Sequence, residues 1–222
     1  MRQSSTPRRH EQQGISLIFA LIALLLIALS TLALVRSVDT GSLVLGNMGF
    51  KQDATVAGDE AVRTAFNWLK LQTATTLGAD NAAVGYYASS RDADNTKPLD
   101  LTGQQFPGNA NRLLIDWNKD SCAYGNNVGT CSLTPTDPAV KTTNGNNSMR
   151  YTVFRLCAMT DAAATAAGTN NNCVTPAVQG GNDNEAGKQA PTLPASGFFY
   201  RIVVQVQGSR NSVSFIEAIV QL

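Results

Sequence analysis

The side chains best suited to nucleophilic or metal chemistry are few: one histidine, His10, and four cysteines, Cys122, Cys131, Cys157 and Cys173. His10 precedes a long apolar run, and a chain processed at the Gly14–Ile15 junction keeps no histidine at all. That excludes Ser-His-Asp and Cys-His catalysis, and zinc sites that need imidazole. Eight residues separate Cys122 from Cys131 and fifteen separate Cys157 from Cys173. Zinc ribbons need closer cysteine pairs. The cysteines read better as disulfides, with three connectivities open and buried free thiols as the alternative. Cys122–Cys131 with Cys157–Cys173 is favoured, because each pair flanks one loop, and each closure would stabilise by roughly 2–3 kcal/mol. Gly180-Gly181 opens an oxygen-rich run, Asn182, Asp183, Asn184 and Glu185. It lacks the spacing of a calcium hand. No glycine loop suited to phosphate occurs, and no spacing singles out a carboxylate pair. The expectation is a protein that is not an enzyme, with no catalytic residue, no metal and no cofactor.

The elements that would position any function begin with the apolar run. Ile15 to Val35 is 21 residues without charge, proline or glycine. As a helix it rises about 30 Å, the thickness of a hydrocarbon core, and a helix satisfies its own backbone in lipid. The reading is a transmembrane helix, since a buried soluble helix of this length would show a polar face. The 222 residues leave room for one further domain. Net charge is +1, and no basic patch with interleaved aromatics suggests nucleic acid. Arg2, Arg8 and Arg9 stand against Glu11 before the run, while the remainder carries a net of −1. The basic flank places the N-terminus in the cytoplasm. The cysteines would then lie in an oxidising compartment such as a periplasm, where disulfides persist.

The residues past the run, Arg36-Ser37-Val38-Asp39, make a poor signal-peptidase site. Gly14–Ile15 is the better junction. A short basic leader, a glycine and an immediate apolar helix resemble the type III leader of type IV pilins and pseudopilins. Gly46-Asn47, then Phe50-Lys51-Gln52-Asp53-Ala54 and Ala57-Gly58-Asp59-Glu60-Ala61, narrow the likeness. Together they resemble the N-terminal segment of PilX-type minor pilins, over roughly residues 9–70. The resemblance implies cleavage after Gly14, methylation at Ile15, and a helix, with Phe19, Leu24, Leu25, Leu26, Gly46 and Asn47 among its residues, that bundles with other subunits. It also implies a set of partners: a prepilin peptidase, other minor and major pilins, the inner-membrane assembly platform and a tip adhesin. Its location would be the inner membrane first and an extracellular pilus afterwards. Major pilins carry a glutamate five residues after the leader glycine, where this chain has Phe19. That departure points to an initiating or tip subunit serving pilus assembly, adhesion or twitching motility. A minor pseudopilin of type II secretion, or an uncleaved bitopic protein with a periplasmic binding domain, are the alternatives.

The expected fold is α+β and pilin-like: residues 1–14 as leader, 15–76 as one long helix and 77–222 as a head. The helix is transmembrane over 15–35 and amphipathic beyond. Gly41, Gly46 and Gly49 weaken it, each by about 1 kcal/mol relative to alanine, and a break near Gly46 is the alternative. From Phe50 on, Ala54, Ala57, Ala61, Ala65, Phe66 and Leu69 share one face, suited to close approach by a sheet. Residues 78–148 are loop-rich, with Leu113–Trp117 as a short strand. Arg150–Ala158, Phe198–Gln207 and Ser212–Leu222 are expected as three antiparallel strands, the last two joined by a turn at Gly208–Asn211. Residues 160–197, poor in large apolar groups, read as a long loop.

Overall fold

The computed structural model describes residues 15–92, 94–126, 128–137, 140–141, 147–160, 173–174 and 197–222, apart from the side chains of Ile15 and Arg210. The leader, most of the 160–197 stretch and the oxygen-rich run at 182–185 lie outside the described residues. Contacts divide the chain into two compact units, Met1–Gly49 and Phe50–Leu222.

One helix, α1 (Ile15–Lys70), has residues in both units. It stops six residues before the expected end at residue 76, and a short 3-10 turn, Thr76–Gly78, follows. Gly41, Gly46 and Gly49 all fall inside it with helical backbone.

The second unit contains two sheets. The larger is built on β6 (Ser148–Arg155), β7 (Phe199–Gln207) and β8 (Val213–Gln221), which run antiparallel in that order. Two short strands share the other side of β6: β1 (Tyr86–Tyr87), parallel to Val153 and Phe154, and β5 (Val140–Lys141), antiparallel to Ser148 and Met149. The sheet is therefore mixed, where a small antiparallel one was expected. The second sheet, β2 (Leu99–Asp100), β3 (Leu113–Ile115) and β4 (Thr130–Leu133), is all parallel and was not foreseen. The expected Leu113–Trp117 strand is its central member, ending at Ile115.

Two apolar clusters hold these layers together. In the first, Ala54, Ala57, Ala61, Ala65 and Leu69 of α1 pack against Met149, Tyr151 and Val153 of β6 and Ile202, Val204 and Val206 of β7. Methyl-sized side chains let the helix backbone come close to the sheet. At Gly58 even a methyl would not fit without movement, since a Cβ there would lie 2.0 Å from Ile216 Cδ1. The second cluster joins the two sheets: Phe154 and Val203 from the large one, Leu99, Ile115 and Leu133 from the small one, and Trp117. Trp117 is fully buried, and its indole N–H donates to Leu101 O at 2.9 Å. The large sheet is thus covered on both faces, by helix and by sheet.

Burial acts on tyrosine ionisation. The Tyr86 hydroxyl donates to Leu77 O at 2.7 Å, and Tyr124 donates to Ile115 O at 2.8 Å. Removal from water pushes both phenols above their ordinary value, and burial also raises Tyr151 and Tyr200. An unfolded chain ionises tyrosine near pH 10. The folded pKa values are raised, so their stabilising contribution is whole below about pH 10 and is lost as pH rises through the folded values. An alkaline titration followed by tyrosinate absorbance and by circular dichroism should show a late group of phenols that ionise together with unfolding. Ionisation of all five tyrosines near their ordinary value, with the fold intact, would contradict this.

Candidate membrane and assembly segment

The first part of α1 is apolar and uncovered. From Ser16 to Phe50 every described side chain is exposed, including Phe19 at 68% and Leu45 at 72%. Leu24, Leu25 and Leu26 point in three successive directions around the axis and are equally bare. From Ile15 to Val35 there is no polar stripe to face water, and beyond it Arg36, Asp39 and Asn47 are exposed. Removing one of the apolar side chains from water is worth roughly 1.5–3 kcal/mol, so a cover of lipid or of other chains is demanded. This is the one helix among the described residues long and apolar enough to cross a membrane.

Its polar atoms are already prepared for an apolar surrounding. Ser30 Oγ donates to Ile27 O at 2.8 Å and Thr31 Oγ1 to Ala28 O at 2.9 Å. Further along, Thr40 bonds Arg36 O and Ser42 bonds Val38 O. Each hydroxyl closes on its own helix, the arrangement that costs least in lipid. With Phe19 among its residues, the segment carries no charge from Ile15 to Val35. Gly46 and Asn47 are exposed, and a Cβ at Gly41, Gly46 or Gly49 would meet nothing within 4 Å. These glycines leave room along the helix surface. Ile15 is the first helical residue, and Gly14 before it lies outside the described residues.

In the second unit all four cysteines are joined in pairs. The disulfides are Cys122–Cys131 and Cys157–Cys173. The first ties a 3-10 turn, Ala123–Gly125, to β4. The second brings Val174 beside the β6–β7 pair, where its N–H donates to Leu156 O at 2.8 Å. Asp116 lies close to Cys122 and Cys131. Those two sulfurs are bonded to each other, and Asp116 Oδ1 accepts the amides of Asp120 and Cys122. That leaves no ligand set for a metal.

A more specific device was missed in the sequence. Asp100 and Arg112 are buried together, 2.8 Å apart. Asp100 also accepts the backbone amides of Thr102, Gly103, Gln105 and Phe106. Arg112 donates to the carbonyls of Gly103, Gly125 and Val128. The pair gathers the two connections of the parallel sheet, β2 to β3 and β3 to β4. Nothing in local periodicity marks it, since Asp100 ends a strand of two residues and Arg112 precedes one of three.

A cleft of about 350 Å³ is lined by Asp92, Asp94, Asn95, Phe106 and Asn109. Its carboxylates are engaged: Asp92 with Arg201 at 2.8 Å, and Asp94 with the hydroxyl and amide of Thr96. The Thr96 hydroxyl and amide hold Asp94 below the ordinary carboxylate range. No nucleophile or histidine lines it. What the structure assigns plainly is a candidate membrane anchor on a disulfide-bonded α+β head. Comparison with protein-family models, curated proteins and solved structures finds no match for this chain.

Proposed function

We propose that this chain is a minor pilin of the PilX type, a structural subunit that takes part in assembling a type IV pilus at or near its tip. The observation that carries the reading is the change of character along α1. From Ile15 to Val35 it is apolar all round and uncovered, while from Ala54 to Leu69 an alanine face is buried under a sheet. An anchor for a periplasmic domain needs the first part only. A subunit that leaves the bilayer and bundles through the same surface uses both. The leader ending in Gly14, the Gly46-Asn47 pair and the uncharged Phe19 position support it further.

In this reading the segment is a membrane anchor first and a filament core afterwards. Helices that associate without water's help do so by close packing, and Gly41, Gly46 and Gly49 permit near approach by neighbours. A buried carboxylate would need a counter-charge from a preceding subunit. Phe19 removes that need, which suits a subunit with none ahead of it. The partners are a prepilin peptidase, other minor and major pilins, the inner-membrane assembly platform and a tip adhesin.

Co-expression with a prepilin peptidase tests the reading. Intact-mass measurement should show loss of residues 1–14, and Gly14→Val should block that loss. An unchanged N-terminus in both proteins would remove the basis for the proposal and leave the uncleaved membrane-anchored alternative.

A further inference from the structure

The two edges of the large sheet are unequal. On one side β6 is flanked by β1 and β5; on the other, β8 has no strand beyond it among the described residues. Nine register pairs join β7 to β8 without a bulge, from Phe199–Gln221 to Gln207–Val213. The direction of each backbone group follows from the two ends of that ladder. Phe198 and Leu222 exchange both hydrogen bonds, and Gly208 N donates to Ser212 O. Pairing alternates in an antiparallel ladder, so Ser214, Ile216, Ala218 and Val220 turn their backbone inward to β7. Val213, Phe215, Glu217, Ile219 and Gln221 turn theirs outward, five N–H and five C=O groups in one row.

Natural sheets blunt such an edge with charge, proline, a bulge or a short strand. β8 is nine residues long with no lysine, proline or bulge, and one charge is its only such device. Its single charge is Glu217, exposed and without an ion-pair partner among the described residues. Ile219 beside it is 62% exposed and Val213 is exposed too. We infer that β8 is a docking edge for an extended strand of a different chain, with a lysine or arginine opposite Glu217 and apolar side chains beside Val213 and Ile219. A second copy of this chain fits less well. Two-fold antiparallel pairing over the full length of β8 sets Glu217, its central residue, directly against the same glutamate, and like charges opposite one another destabilise; a shifted two-fold register pairs fewer residues of β8. The inference uses no residue of Ile15–Gly49 and stands apart from the pilin reading.

The probe is a capped nine-residue peptide that alternates threonine and valine around one central lysine. Its binding to the full chain in detergent micelles is read by fluorescence anisotropy. A peptide with glutamate in the centre should bind about tenfold more weakly, and Glu217→Lys should reverse that order. Ile219→Pro removes an outward N–H while sparing the β7 ladder, a place where proline is tolerated; it should lower affinity about tenfold or more with the circular dichroism unchanged. Three results would overturn the inference. One is no peptide binding, or binding indifferent to both variants. Another is slow amide exchange at Val213, Glu217 and Ile219 in the chain without peptide, which would mean that the edge is already paired. The third is self-association abolished by Ile219→Pro, which would make a second copy the occupant.

Discussion

Asp100→Ala is expected to lower the stability of the small parallel sheet by about 3–5 kcal/mol, the range for breaking a buried ion pair from one side. The substitution leaves the Arg112 guanidinium buried with three carbonyls and no counter-charge. It also removes the acceptor for four backbone amides between Thr102 and Phe106. Asp100→Asn keeps the shape but loses the charge and turns an amide donor toward other donors, so it too should destabilise. The damage should be local at first. Amide exchange should speed up across Leu99–Leu133, while β6 and β7 stay protected until Trp117 and Phe154 lose their packing. Hydrogen exchange with mass spectrometry reads this directly. Uniform acceleration over both sheets would show that the two layers unfold as one unit.

Ala61→Leu is expected to be the most damaging small change on the helix. Ala61 is 0% exposed and lies in the first cluster with the inward residues of β6 and β7. A leucine adds three carbons where no space exists, and overpacking costs typically 1–3 kcal/mol, occasionally more. Ala61 differs in this from Gly58, whose added Cβ would strike the end of the half-exposed Ile216 side chain. Gly58→Ala gains about 1 kcal/mol of helix propensity against the shift of that side chain, and should cost far less. Chemical denaturation of both variants in the same micelles compares them. A Gly58→Ala penalty larger than that of Ala61→Leu would refute the packing account.

Much of this arrangement is legible in the residues. The uncharged run from Ile15 to Val35 and the period of Ala54, Ala57, Ala61, Ala65 and Leu69 announce two uses of one helix. Alternation over Phe198–Gln207 announces β7. The second layer is not legible, for a physical reason. The strands β1, β2 and β3 have two or three residues each, too few to carry a period. Their parallel pairing is set by contacts distant in sequence, such as Leu99 with Leu113 and Leu113 with Thr130. Arg201, Gln205 and Gln207 suggest that the second face of β7 meets water. In the fold Val203 and Gln205 are buried on that face, because the small sheet covers it. A strand covered on both sides gives no clean alternation.

In the proposed function the segment around Phe19, bare in the isolated chain, is covered first by lipid and then by other helices. N-terminal sequencing of this protein from a sheared-filament fraction tests both steps together. The account predicts a chain that begins at Ile15 and is present in that fraction. A chain that begins at Met1 and is confined to the inner-membrane fraction would contradict it.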